Sequence, residues 1–154
     1  MASADPAELT RGTLFQALVA AVRRFGRHTP AQWEDPVPGS YSYGDLLKMT
    51  LALGRLMARL TAPGEHVGVL MPNVAATVAL VIGLSSQRRV PCMLNYTAGV
   101  EGMQNACQVA CVHTIITSRA FLEKAQLTAQ AAALRDVRLV HLEDLRRQFG
   151  PADK

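Results

Sequence analysis

The amino-acid sequence predicts an α/β fold: a doubly wound, mostly parallel sheet with helices on both faces and a small β-hairpin near the amino terminus. Three observations point there. Short runs at residues 67–70 (VGVL), 90–94 (VPCML), 113–117 (HTIIT) and 138–142 (RLVHL) have the length and apolar or β-branched content of buried strands. The segments between them carry apolar residues at helical spacing. Strand starts recur at roughly two-dozen-residue intervals, the length a parallel strand and its helical crossover require. At 154 residues and 49% hydrophobic, the chain can bury the core of one globular domain.

The elements follow in order. Residues 1–12 are polar and expected to be loosely held. Thr13 precedes a helical pattern with Leu14, Leu18, Val22 and Phe25 on one face, and Gly26 is placed to end it as a left-handed cap. Residues 31–35 and 40–43 read as two short strands around Pro36-Val37-Pro38-Gly39, a hairpin on which Trp33 and Tyr43 pack. Ser42 and Asp45 have capping-box spacing ahead of a helix carrying Leu46, Met49, Leu53, Leu56, Met57 and Leu60. Thr61-Ala62-Pro63-Gly64 is the next turn.

Residues 66–99 organise the rest as strand, helix and strand. Pro72 has no N–H and restricts Met71, so the first strand stops there. Asn73 is expected to cap the helix through Thr77, Leu80 and Leu84. The second strand delivers Asn95, Tyr96 and Thr97 to the end of the sheet. Open sheets bind ligands at the carboxyl ends of their strands, which makes Asn73, Asn95, Tyr96 and Thr97 the candidate binding residues. After Gly99 a helix turns Val100, Met103, Cys107 and Ala110 inward. Ser118 caps a long Ala-rich helix containing Phe121, Ala125 and Leu134, and Asp136 opens the connection to the last strand.

A net charge of +4 and a pI near 9.3 are mildly basic. The pairs Arg23-Arg24, Arg88-Arg89 and Arg146-Arg147 are scattered and read as solvated charges at helix ends. With aromatics at 5%, nucleic-acid binding is not expected. Three cysteines, Cys92, Cys107 and Cys111, without C-x-x-C or a secretory signal, read as reduced, buried thiols of a cytoplasmic protein. Cys107 and Cys111 lie one helical turn apart with His113 behind them, but core packing is the simpler account and no metal site is expected. The most apolar run, residues 74–84, is too short to span a membrane.

No catalytic constellation is complete. There is no G-x-x-x-x-G-K-[ST], no G-x-G-x-x-G and no G-x-S-x-G. His28, His66, His113 and His141 occupy unrelated positions. Glu143 and Asp144 end the fourth strand at the ligand side, where capping the next helical turn suits them better than holding a cation or a ribose. No residue is therefore assigned as catalytic.

The order of residues 13–17 (TLFQA), 41–47 (YSYGDLL), 67–73 (VGVLMPN) and 89–91 (RVP) resembles the amino-terminal subdomain of adenylate-forming enzymes of the acyl-CoA synthetase superfamily. Residues 93–99 (MLNYTAG), 117–124 (TSRAFLEK) and 142–145 (LEDL) are similar to the synthetase part of bacterial bifunctional 2-acylglycerophosphoethanolamine acyltransferase/acyl-[acyl-carrier-protein] synthetases. The resemblance implies a larger enzyme that activates a fatty acid with ATP and Mg through an acyl-adenylate. The acceptor would be the thiol of acyl carrier protein or coenzyme A. It also implies partners in the remainder of the synthetase chain and in acyl carrier protein, and a parent protein associated with the inner membrane. The family's Ser/Thr/Gly-rich loop ending in P-K-G is absent, so the fragment is expected to bind no cofactor and to be inactive alone. The domains then read as a flexible segment (1–12), one α/β subdomain (13–146) and a polar tail at the truncation point (147–154). Two further expectations are homo-oligomerisation through an apolar face exposed along residues 74–84 and, as the alternative function, a stand-alone small-molecule or protein binding module.

Overall fold

Thr13 starts helix α1 (Leu14–Phe25) through a capping box. Its Oγ1 accepts from Gln16 N at 3.2 Å, and Gln16 Oε1 accepts from Thr13 N at 2.8 Å. In the computed structural model, which describes residues 12–31 and 40–148, Leu18 is the buried residue of this helix and Val22 is half-buried. Leu14 and Phe25, expected on the same inward face, are exposed; they are the first and last residues of the helix. Gly26 ends the helix at φ 89°, but its ψ of 142° takes the chain away extended and not as a left-handed cap.

The hairpin turn and Trp33 lie outside the described residues. What is described is one antiparallel bridge, Pro30 to Ser42, with Ala31 N donating to Tyr41 O at 2.8 Å and Tyr43 N to Thr29 O at 3.1 Å. The second strand is cut short because Ser42 caps helix α2 (Tyr43–Leu60). Ser42 Oγ accepts from Asp45 N at 3.1 Å and donates to Asp45 Oδ2 at 2.6 Å. Tyr43 stacks on Phe25, ring centroids 5.5 Å apart.

Strand β1 (His66–Leu70) follows, then helix α3 (Ala75–Ser86) and strand β2 (Val90–Met93). Asn73 does not cap α3. Val74 holds the cap position in extended conformation with no side-chain bond, and its carbonyl accepts from Thr77 N at 2.9 Å. Every residue of α3 is buried or half-buried, so the near-continuous apolar helix presents no large exposed side chain. Helix α4 (Gly99–Val109), strand β3 (Thr114–Thr117), helices α5 (Arg119–Lys124) and α6 (Thr128–Ala132), strand β4 (Arg138–His141) and helix α7 (Leu142–Gln148) complete the order.

The long Ala-rich helix is in fact two. Leu127 N reaches Leu122 O at 2.8 Å and Gln126 N reaches Glu123 O at 3.1 Å, with Gln126 at φ 56°. This is a Schellman ending, and both of its apolar partners, Leu122 and Leu127, enter the core.

The chain divides into two compact units. One unit, Met1–Arg59 with Asn73–Arg88, packs α1, α2 and α3 through Leu18, Leu46 and Ala79. Within it α2 and α3 approach to backbone contact: a Cβ on Gly83 would lie 2.9 Å from both Gly54 N and Thr50 O.

The other unit, Leu60–Pro72 with Arg89–Lys154, holds the sheet. Its four strands run in the order β2-β1-β3-β4, and every pairing is parallel. The fold is mixed α/β, with an all-parallel sheet flanked by helices. One sheet face supplies Leu70, Leu94 and Ile115, which pack with Met103, Cys107, Leu122, Leu127, Ala131 and Leu134 of the helices and their connections. Gly68 in β1 leaves room there for Ile115, since a Cβ would meet Ile115 Cγ1 at 2.9 Å. Arg89, expected to be solvated, is buried: its Nε donates to Thr61 Oγ1 at 3.0 Å and its guanidinium also reaches Thr61 O. Gln104 clamps Arg135 with two bonds, accepting from its N at 2.8 Å and donating to its O at 3.2 Å.

Candidate functional site

Parallel strands put all their carboxyl ends on one edge. The order β2-β1-β3-β4 reverses direction between β1 and β3, which makes their carboxyl ends the switch point where open sheets receive ligands. The two ends are tied together there. Thr117 Oγ1, fully buried, donates to Leu70 O at 2.8 Å.

Beside this junction the ends of β3 and β4 are laced by side chains. Thr117 pairs with His141, so the residues that follow each strand run side by side. Ser118 Oγ caps α5 by accepting from Phe121 N at 3.3 Å, and its hydroxyl donates to Glu143 Oε1 at 2.7 Å. Ala120 N also points at that oxygen, at 3.4 Å. Glu143 Oε2 is buried and, among the described residues, has no hydrogen-bond partner. Arg119 grips Asp144 with two bonds of 2.7 and 2.6 Å, and His141 Nδ1 lies 3.9 Å from Asp144 Oδ2.

Charge follows from these contacts. Burial alone would push the Glu143 carboxyl up. The Ser118 hydroxyl and the backbone N–H groups of Glu143, Arg119 and Ala120 outweigh it and hold the carboxyl below its ordinary value. The bonds to Asp144 raise Arg119 further. Held below its ordinary value, the Glu143 carboxylate is a weak base and is not poised as a general base at neutral pH.

The candidate binding residues separate into two groups. Asn95, Tyr96 and Thr97 stand together just past β2. Asn95 Oδ1 accepts from Thr97 N at 3.0 Å and from Thr97 Oγ1 at 2.7 Å, closing a 3₁₀ turn over Tyr96–Ala98. Tyr96 is half-buried, its ring edge-on to Phe121 of α5 at 5.3 Å, which fixes the loop after β2 against the helix after β3. Asn73 is exposed and belongs to the other unit.

Sequence reasoning treated Ser118 and Glu143 as separate caps and missed Arg119. The available signal was the pair Ser-Arg after one strand and Glu-Asp after the next, at nearly the same offset. Most polar atoms of this edge are used up in holding its own loops, so it offers a fixed rim more than a set of reactive groups. Among the described residues no group of three His, Cys, Asp or Glu side chains could hold a metal ion. The three thiols do not share one environment: Cys107 is buried, Cys92 half-buried and Cys111 exposed. Burial pushes the Cys92 and Cys107 thiols up.

Several solved structures share this fold. VinN in complex with 3-methylaspartate superposes with a TM-score of 0.75 at 20% identity, covering 88% of this chain and 36% of that one. The N-terminal domain of FACL13 from Mycobacterium tuberculosis gives 0.72 at 16% identity, covering 89% and 36%. A benzoate CoA ligase from Burkholderia xenovorans LB400 gives 0.70 at 20% identity, covering 91% and 29%. The chain thus spans about a third of the length of these neighbours, and identities this low speak for the fold alone. Residues 18–151 match the family model described as AMP-binding enzyme, which covers most of the sequence and both units. The chain belongs to the AMP-binding enzyme family.

Proposed function

We propose that this chain is the amino-terminal part of an ATP-dependent acid–thiol ligase that activates a fatty acid as its acyl-adenylate and passes the acyl group to a carrier-protein or coenzyme A thiol. The observation that carries the reading is the family match over residues 18–151. The segments at residues 93–99, 117–124 and 142–145 favour the acyl-carrier-protein branch, with the parent protein working at the inner membrane on phospholipid acyl chains.

The residues present do not fit ATP and Mg by themselves. A transferring phosphoryl group needs backbone donors and positive charge aimed at it. The sequence has no Ser/Thr/Gly-rich loop ending in P-K-G, and the guanidinium at the candidate edge, Arg119, is engaged by Asp144. The chain's own part in the reaction is to build the β1–β3 junction and the rim formed by Tyr96, Ser118 and Glu143. The remainder of the ligase closes on that rim.

The test is pyrophosphate release from ATP with a fatty acid and the isolated chain. No turnover above background is the expected result, and turnover would overturn the assignment of adenylation to the rest of the enzyme. Reading the gene beyond Lys154 separates fragment from self-standing protein: a T-S-G-T-T-G-like loop in frame supports the ligase reading, and a stop codon opposes it.

A further inference from the structure

The last turn of α1 gathers positive charge around an exposed aromatic ring. Phe25, 51% exposed, stacks on the half-buried Tyr43, and the Arg24 guanidinium lies 5.4 Å from the centre of the Phe25 ring. Arg23, Arg27 and His28 are exposed on the same short stretch of chain. Arg27 Nε donates to His28 Nε2 at 3.1 Å, an acceptor that carries no negative charge. Among the described residues neither Arg23 nor Arg27 meets a carboxylate. In the unit that holds the sheet the comparable side chains are engaged: Arg119 by Asp144, Arg138 by Leu60 O and Arg89 by Thr61. The carboxyl end of a helix accounts for basic residues. It does not account for an aromatic pair held open among them. Leu14, 55% exposed, stands three turns up the same side of α1 as Phe25, with exposed Ala17 between them.

From this surface we infer that α1 seats the protein on an anionic lipid bilayer, with Phe25 and Leu14 at the acyl boundary and Arg23 and Arg27 on the headgroup phosphates. A guanidinium on its long stem reaches phosphate while a neighbouring ring goes deeper, which is how interfacial helices divide the two kinds of contact. Two half-exposed side chains with an alanine between them make a strip too narrow for the buried core of a protein partner, which takes about 800 Å² from each side. A bilayer asks only for single apolar insertions among basic residues. A second copy of the same face would set arginine against arginine. The inference gives the membrane association put forward above a surface of contact, and it needs nothing from the ligase chemistry.

The test is co-sedimentation of the 154-residue chain with vesicles of one part phosphatidylglycerol to two parts phosphatidylcholine, and with phosphatidylcholine alone. The chain should bind the anionic vesicles roughly tenfold more tightly or better, and added salt should weaken that binding. Arg23→Glu combined with Arg27→Glu should lower the affinity by roughly tenfold or more. Lys124→Glu combined with Arg135→Glu, exposed and in the other unit, gives the same net charge and should change it by less than about threefold. Should the Arg23/Arg27 variant lose its far-ultraviolet spectrum, Phe25→Trp keeps a ring in place and reports directly. Its emission, relative to the wild type, should shift to the blue on the anionic vesicles. Equal binding to both kinds of vesicle, or none to the anionic kind, overturns the proposal. So does a folded Arg23/Arg27 variant that binds as the wild type does, or a Phe25→Trp emission that does not move. Tighter binding to polyglutamate than to the anionic vesicles would assign the face to an acidic protein and overturn it as well. None of these results bears on the ligase reading, which the pyrophosphate assay tests separately.

Discussion

Glu143 is pulled two ways, by burial against its charge and by hydrogen bonds in favour of it, and the bonds prevail. A carboxyl whose folded value lies below its ordinary 4.5 binds fewer protons in the folded state than in the unfolded one. Its contribution to stability is therefore complete above about pH 5, and is lost as pH falls through the folded value. Glu143→Gln should cost about 1 kcal/mol at neutral pH. The variant's stability should also fall less steeply than the wild type's below about pH 4.5. Urea unfolding at a series of pH values measures both, and parallel profiles would show that the Ser118–Glu143 contact is not formed. Gly83 offers a second single-residue test with an inverted sign. Alanine for glycine inside a helix ordinarily helps by about 1 kcal/mol. Here the new Cβ would stand 2.9 Å from backbone atoms of α2, which cannot turn aside as a side chain can. Gly83→Ala is expected to destabilise by about 1–3 kcal/mol in denaturant unfolding.

At the scale of elements, strands were more legible than helix ends. Short apolar or β-branched runs at regular spacing gave the positions of all four strands of the sheet to within a residue or so. Burial explains the apolar run in the inner strands β1 and β3, while the half-exposed edge strands β2 and β4 were legible from their length and spacing. Helix ends hid because the left-handed positions that close them are held by Arg88, Cys111 and Gln126, none of which signals a stop as glycine does. Likewise Asn73, a strong capping type, gave way to Val74. The lacing of Ser118 to Glu143 is invisible to local patterns, since it depends on the register of β3 against β4. Cys111 turns this into a measurement. It sits at φ 52° just past α4, with Cys111 N on Gln108 O at 3.2 Å and Val112 N on Cys107 O at 2.8 Å. A side chain there strains the backbone by about 1–2 kcal/mol, and glycine relieves it at some entropic cost. Cys111→Gly should raise stability by roughly 0.5–1 kcal/mol, a gain of about 1–4 °C in melting temperature.

Over the whole molecule, no residue of the sheet pairs with a near neighbour in sequence, since even consecutive strands are separated by a helical crossover. β1 has Val90 against His66 on one side and Thr114 against Val67 on the other. Each pairing closes a long loop, so β1 at the centre cannot be exposed without losing both neighbours, and the sheet is expected to open in one cooperative step. The cysteines can report that step. Cys111 is exposed, whereas Cys107 packs with Met103, Val112 and Ile115 in the cluster that lies on the sheet. A thiol reagent should therefore label Cys111 promptly in the native protein. Cys107 should react more slowly by a factor of roughly a thousand or more, set by the population of the open state. Gly68→Val would drive a side chain into Ile115, Val112 and Leu94 at the centre of that cluster. If the sheet opens as one body, this change should speed Cys107 labelling by the same free energy by which it lowers global stability in urea. A Cys107 rate that ignores Gly68→Val would mean that α4 lifts from the sheet by itself, and that the cluster is less cooperative than its packing implies.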